Sequence, residues 1–160
     1  MTLPGSLLAA TPAEDFTRIC VEIVADKGAK ENTQRLHRLF DAQWEYMKLD
    51  APEFSTRKGY PGQNDRWTDL SLEAIQRRKD LLKPISSALH SIDRSRLNDV
   101  DQLNYDIWIR NIELSKEGQR FPAEYLPMTQ MGGVHTWNTA LIAMMPTRTA
   151  KDYEDIIARL

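Results

Sequence analysis

The chain has 160 residues, of which 41% are hydrophobic and 28% charged, and 21 basic against 23 acidic side chains leave a formal net charge of −2. This composition is typical of one globular domain, and such a length buries roughly 70% of the unfolded surface without help from disulfides or metal. A single cysteine, Cys20, excludes an internal disulfide framework. The balanced charge offers no footprint for nucleic acid, and no apolar stretch approaches the roughly 20 residues that span a bilayer.

Two helices are expected in the first 50 residues. Thr11, Pro12 and Glu14 supply an N-cap, a first-turn proline and a capping-box glutamate, so the first helix starts there and ends at Gly28. Residues 31–49 repeat the apolar spacing of an amphipathic helix. Upstream, residues 3–10 are apolar, but no basic residue precedes them, so they do not make a complete secretory signal.

Two long helices are expected in the middle of the chain. Ser71 opens a third helix, which Pro84 is expected to kink because its ring displaces a backbone hydrogen bond one turn back. Asn98 caps a fourth helix that ends at Gly118. The apolar arc of the fourth helix is wide, and it is therefore predicted to be the most buried helix of the fold.

Two segments lack helical periodicity and contain several prolines and glycines. Residues 50–69 and residues 121–133 are expected to be long, ordered loops. A short helix is expected over residues 136–144. No segment alternates apolar and polar residues as a strand does. The sequence therefore predicts an all-α fold, an irregular multi-helix bundle with two long ordered loops.

The last helix is expected to carry an unfinished apolar stripe. Thr149 and Asp152 cap it, and its apolar residues share one face. They are Tyr153, Ile156, Ile157 and Leu160. Because the sequence stops inside this pattern, we expect a shortened chain that can associate with itself through the C-terminal helix.

The usual catalytic arrangements are not recognised in the sequence. His37, His90 and His135 are isolated and take no part in HxxxH, HxxE or CxxC spacings, so no metal ligand and no catalytic residue is assigned. Cys20 lies on an apolar helix face and is interpreted as an inert, buried thiol. GxSxG and GxxxxGK motifs are missing, which removes the support for the common covalent and nucleotide chemistries.

Other conspicuous side chains have structural interpretations. Asp152, Glu154 and Asp155 fall near the start of the last helix, where acidic groups complement the helix dipole. Trp44 and Trp108 are interpreted as core residues.

A glycine-containing run offers the best candidates for substrate binding. Gln130, Gly132, Gly133 and His135 immediately precede a helix, and adjacent glycines permit the close approach of another chain or a ligand. The alternative is a plain turn from loop to helix, in which His135 acts as a cap.

The order of several motifs resembles the bacterial domain of unknown function 885 (DUF885) family. The first block comprises residues 50–56 with Gly59, residues 64–71 and the Arg77-Arg78 pair. The second block comprises residues 127–133, followed in order by Pro146, Thr149, Asp152-Tyr153 and Arg159-Leu160. The resemblance covers residues 31–160, which leaves residues 1–30 as an N-terminal extension with a short helix.

The resemblance implies the N-terminal piece of a long, largely helical protein that is similar to zinc-dependent peptidases of the HExxH type. In such relatives, which are often exported, the metal-binding helix lies far toward the C-terminus, so the zinc implied for the full-length family has no ligand in this chain. These helices would then form one wall of a cleft for a peptide substrate and would be inactive alone. A noncatalytic helical interaction module is the alternative.

Overall fold

The computed structural model describes residues 11–26, 32–126, 128–130 and 132–160, without the side chains of residues 134 and 135. Within these ranges the chain is all-α, as predicted. Its helices are α1 (Pro12–Ala25), α2 (Asn32–Asp50), α3 (Pro52–Lys58), α4 (Leu72–His90), α5 (Asp99–Gly118), α6 (Val134–Ile142) and α7 (Ala150–Arg159). A hairpin of β1 (Met128–Thr129) and β2 (Gly132–Gly133) precedes α6, with Met128 opposite Gly133. None of the described helices is long and apolar enough to cross a membrane.

The predicted helix starts are confirmed by their hydrogen bonds. Glu14 N donates to the Thr11 hydroxyl at 3.3 Å, and Thr11 N donates to the Glu14 carboxylate at 2.7 Å. Side chains also cap α4, α5 and α7; they belong to Ser71, Asn98 and Thr149. Pro84 lies inside α4, which continues through it to His90. Gly28, the expected end of the first helix, lies outside the described residues.

The hydrophobic core lies where α1 packs on both α2 and α4. Its buried residues are Phe16, Cys20, Ile23, Leu36, Leu39, Ala42, Leu81, Ile85, Ala88, Leu89, Ile92, Leu97 and Ile112. Ile112 is the single contribution of α5 to this cluster. The core is therefore a three-helix arrangement that α5 covers from one side.

Arg35 is a charged residue inside this core, only 5% exposed. Its guanidinium donates to Ile23 O at 2.7 Å, to Ser91 O at 3.0 Å and to the Ser91 hydroxyl at 2.7 Å. Ile23 belongs to the last turn of α1, and Ser91 directly follows α4. Because helix C-termini present unpaired carbonyl groups and partial negative charge, the Arg35 cation stabilises both ends at once.

The prediction that the fourth helix is the most buried is wrong. On α5 only Asp101 and Ile112 are buried, and most of its apolar arc is exposed. The exposed members are Val100, Leu103, Ile107 and Leu114. A helix buries a wide arc only when it has neighbours on several sides, whereas α5 packs chiefly against α4.

The first expected loop contains a helix. Pro52 occupies the first turn of α3, and Gly59 ends the helix with φ of 76°, a left-handed conformation that glycine adopts without steric cost. With only seven residues, α3 has too few turns to show apolar periodicity. Residues 121–133 include a 3₁₀ turn at Ala123–Tyr125 and the hairpin, with residues 127 and 131 outside the described part.

Trp44 is not a core residue as predicted, because its side chain is 39% exposed. It packs edge-to-face on Phe54 of α3, with ring centroids 5.2 Å apart, and lies outside the three-helix core. Trp108 is half-buried and packs on Phe40 at 5.0 Å. The two tryptophans therefore lie at the edge of the core rather than within it.

Candidate functional site

A polar cavity of about 620 Å³ lies between the α3 segment and the connection from α6 to α7. One wall consists of Thr56, Gly59, Tyr60, Pro61 and Asn64, and the other of Met144, Met145, Pro146, Thr147, Arg148 and Asp152. A volume of several hundred Å³ is in the range of small-molecule sites and accommodates a few residues of an extended peptide. This cavity is the candidate functional site.

Hydrogen bonds hold the α3 wall in place. The Thr56 hydroxyl lies 2.8 Å from Asn64 Oδ1 and 3.1 Å from Pro52 O. The Ser55 hydroxyl donates to Lys48 O at 2.7 Å, which ties α3 to the end of α2. Thr68 N donates to the Glu53 carboxylate at 3.0 Å and folds the following segment back over the helix. The wall is thus preorganised, although most of it has no regular secondary structure.

Asp152 organises the opposite wall as the first-turn residue of α7. Its carboxylate accepts hydrogen bonds from Arg148 N at 2.9 Å and Thr149 N at 2.8 Å. The backbone N–H groups of Thr149 and Arg148 hold the pKa of Asp152 below its usual value. Because its Oδ2 accepts both backbone N–H groups at the start of α7, Asp152 acts as a cap, in agreement with the structural interpretation of its sequence position.

Arg159 connects α7 to residues 63–67, which follow α3 in the chain. Its side chain donates to Arg66 O at 3.0 Å and to Gln63 O at 2.9 Å, while its own carbonyl accepts from Trp67 Nε1 at 3.1 Å. The guanidinium also lies over the Trp67 ring, 5.2 Å from its centroid. Burial lowers the pKa of Arg159. These bonds join segments more than 90 residues apart and anchor α7 by a polar side chain.

Arg148 is the one cationic residue among the described residues that line the cavity. Its side chain is exposed, and its positive charge contributes to the lowered pKa of Asp152 on the same wall. A guanidinium binds carboxylates through two parallel hydrogen bonds. We therefore expect a negative or strongly polar group of a ligand to lie near Arg148.

Comparison with protein families identifies the chain. The sequence profile of a family described as bacterial protein of unknown function (DUF885) matches residues 52–160, well over half of the chain. The chain belongs to the DUF885 family. The match begins later than the expected start near residue 31. No curated protein and no solved structure matches the chain significantly.

The two DUF885 motif blocks meet at the polar cavity. Thr56, Gly59 and Asn64 come from the first block, and Pro146 and Asp152 come from the second. The Arg159 contacts with the segment around Trp67 join the same two blocks. Parts of both blocks therefore line one cavity, although many residues separate them along the chain, whereas the described residues of 127–133 and the Arg77-Arg78 pair do not line it.

The predicted substrate-binding residues lie around the hairpin and do not line this cavity. Gln130 is exposed at the hairpin turn, whereas Gly132 and Gly133 are buried. A Cβ atom on Gly132 would lie 2.8 Å from Trp137 Nε1, so the close approach that this glycine permits is to its own chain. The His135 side chain lies outside the described atoms. Substrate binding by these four residues stays a prediction.

The described histidine and cysteine side chains do not form a zinc site. His37 lies 2.8 Å from the Asp101 carboxylate, and His90 Nδ1 lies 2.7 Å from Ser86 O, on different helices. Cys20 is fully buried, which raises the pKa of its thiol to about 12. No group of three metal-ligating side chains occurs among the described residues. The donor set in these ranges therefore does not fit zinc.

The His37–Asp101 pair links the starts of α2 and α5. The Asp101 side chain is 5% exposed, while that of His37 is 55% exposed. Hydrogen bonding by His37, with further bonds from Asn98 and Thr33, holds the pKa of Asp101 below its usual value of 3.8. Such a carboxylate stabilises the folded state above its unfolded pKa, and this contribution is lost as the pH falls through the lower folded-state pKa.

Replacing Asp101 with asparagine is expected to lower the free energy of unfolding by about 1–3 kcal/mol near neutral pH, because charge-assisted hydrogen bonds to buried groups have this magnitude. The difference from the wild type should begin to shrink below about pH 4, where Asp101 of the unfolded chain takes up a proton, and should be lost once the pH has fallen through the lower folded-state pKa. Urea unfolding at several pH values measures both effects. Asp99→Asn, at an exposed neighbouring position, is the control. A loss of unfolding free energy in D101N that does not depend on pH would contradict the role assigned to the Asp101 carboxylate.

Proposed function

We propose that this chain forms one wall of the substrate cleft of a zinc-dependent peptidase or carboxypeptidase, and that the polar cavity contacts the peptide. The observation that carries the proposal is that residues from both DUF885 motif blocks, Thr56, Gly59 and Asn64 with Pro146 and Asp152, line this cavity. In this proposal the described residues bind and orient the substrate, and the metal chemistry belongs to residues elsewhere in the full-length protein.

The cavity supplies complementary groups for an extended peptide. Asn64 places a carboxamide on one wall, and because its Oδ1 already accepts from the Thr56 hydroxyl, its N–H groups are the ones that would donate to a peptide C=O group. Arg148 on the opposite wall pairs with a carboxylate, either the C-terminus of a peptide or an acidic side chain. The Tyr60 ring adds an apolar surface between them.

A peptide with a free C-terminus tests this assignment. Pentaalanine, labelled with fluorescein at its N-terminus, is titrated with the protein in free-acid and amidated forms while fluorescence polarisation is measured. Arg148→Ala is expected to weaken binding of the free acid by about tenfold or more, because the lost hydrogen bonds involve two charged groups. The amidated peptide should bind both proteins alike, and neither form should be hydrolysed.

Arg110→Ala is the matched control, since Arg110 is 68% exposed on α5 and lies away from the cavity. Equal losses in the two variants, or the same losses for both peptide forms, would reject the role of Arg148. A purely structural role is recognised by a changed unfolding midpoint, which is measured on the same samples.

The exposed face of α7 favours a second candidate, the noncatalytic interaction module. Tyr153 is 54% exposed, Ile157 71% and Leu160 87%, while Ile156 is half-buried. A contiguous exposed apolar face is typical of a surface that contacts another protein. Under this alternative, Arg148→Ala is expected to leave the binding of the partner protein unchanged. Self-association through this face stays a prediction.

A further inference from the structure

An uncharged pocket of about 420 Å³ opens between α2 and α5, separate from the polar cavity. The described residues that line it are Phe40, Gln43 and Trp44 of α2 with Asn104, Ile107, Trp108 and Asn111 of α5. None of them is charged, although 28% of the chain is. A pocket with this lining favours a neutral ligand, because an ion would lose its hydration without gaining a partner.

Two tryptophans form the aromatic sides of this pocket. Trp108 packs on Phe40 with ring centroids 5.0 Å apart, and Trp44 makes edge-to-face contacts with Phe54 and Tyr60 at 5.2 and 6.0 Å. These contacts hold both rings in place while they remain at the pocket surface. Fixed aromatic rings bind apolar groups at a low cost in conformational entropy.

Gln43 contributes an unsatisfied acceptor to the pocket. Its Oε1 atom is buried and has no hydrogen-bond partner in the part of the chain that the structure describes. The residue as a whole is only half-buried, and the terminal torsion of a glutamine is soft. This oxygen is covered in the structure, so a ligand N–H group would reach it after a rotation of the side chain, which breaks no hydrogen bond of this atom.

The pocket adjoins the polar cavity through one aromatic contact. Trp44 lines the pocket, Tyr60 lines the cavity, and their ring centroids are 6.0 Å apart. Successive residues of an extended chain are only about 3.3 Å apart. A peptide with its polar end in the cavity therefore reaches the pocket within a few residues.

We propose that the α2–α5 pocket binds a neutral aromatic or large aliphatic residue of an extended peptide, whose backbone N–H donates to Gln43 Oε1. The identity of the ligand as a peptide rests on the proposed function. A pyranose sugar fits less well, because it presents several hydroxyl groups to a lining that is mostly apolar. A peptide residue combines one apolar side chain with few backbone polar groups, which matches the carboxamides present.

N-acetyl-L-phenylalaninamide is the probe, because it is neutral and carries both an aromatic ring and N–H donors. Indole N–H signals in two-dimensional NMR report on Trp44 and Trp108. We expect these two signals to shift as the probe is added and to reach saturation by about 10 mM probe, as for a site with a Kd of about 1 mM. The corresponding amide of N-acetyl-L-glutamate should bind at least about tenfold more weakly. Absent shifts, or stronger binding of glutamate amide, maltose or adenosine, would overturn the proposal.

A matched pair of α5 variants localises the binding. Ile107 lines the pocket and Leu114 does not, yet both residues are 52% exposed, so we expect the fold to tolerate glutamate at either position. Ile107→Glu is expected to weaken probe binding by about tenfold or more, because it places a charge against an apolar ligand, whereas Leu114→Glu leaves it unchanged. Equal affinities in the two variants would place the probe elsewhere and overturn the proposal.

Gln43→Met tests the hydrogen bond while it keeps the shape of the side chain. We expect a loss of about three- to tenfold for the probe, the effect of one neutral hydrogen bond, and no loss would refute this contact. Arg148→Ala should not change binding of this probe, because the probe has no carboxylate. The pentaalanine peptides therefore test the cavity proposal, and this probe tests the pocket proposal, so that the failure of one is distinguished from the failure of the other.

Discussion

Replacing Arg35 with methionine is expected to lower the free energy of unfolding by about 3–5 kcal/mol, since two or more charge-assisted hydrogen bonds are lost in the core. The carbonyl groups of Ile23 and Ser91 would be left without this donor. Methionine restores part of the volume, so the loss reports mainly on the polar contacts. Urea unfolding followed by circular dichroism measures it.

Arg38→Met is the control for Arg35 one turn along α2. The Arg38 side chain is 36% exposed and pairs with Glu22, which is 40% exposed. Exposed pairs contribute at most about 1 kcal/mol, so this variant should unfold close to the wild type. If both variants lose the same stability, Arg35 does not hold the ends of α1 and α4 together.

Truncating Leu89 to alanine is expected to cost about 2–5 kcal/mol of unfolding free energy, because the side chain is fully buried in the three-helix core and a cavity would remain. The same substitution at Leu103 should change stability by no more than about 0.5 kcal/mol. Leu103 is 60% exposed on α5. Denaturant midpoints of the two variants, measured side by side, provide the comparison.

This pair tests the arrangement of α5 directly. Apolar spacing alone places Leu103 in the core, whereas the structure places it at the surface. A large loss for Leu103→Ala would mean that the outer face of α5 is covered in solution. A small loss would confirm that Leu103 lies on the exposed face of α5, opposite the residues that pack on the core, Tyr105, Trp108, Ile109 and Ile112.

Helix positions were predictable from the sequence because their signals are local. The Thr11, Ser71, Asn98 and Thr149 caps each involve a side chain and a backbone N–H only three residues apart. Such contacts form whenever the chain turns, so local pattern is enough to find them. The α3 helix escaped prediction because a seven-residue segment carries too little periodicity.

The motif blocks of the site were recognisable in the sequence, but their meeting place was not. Gln63 and Arg159 are 96 residues apart along the chain, and their hydrogen bond forms only after α7 docks. The pocket beside Trp44 depends in the same way on how α2 and α5 pack. The spacing of residues within one segment does not determine how far that segment lies from another that is distant in the sequence.

The sequence by itself determined the all-α class, the helix boundaries near their caps and the family, because these depend on short segments read one at a time. Tertiary structure alone decided which faces are buried. It buried Arg35 and Arg159 and left Leu103 exposed, against the usual preference of each residue type. Burial depends on how many neighbours surround a face, and that number is set by packing between distant parts of the chain.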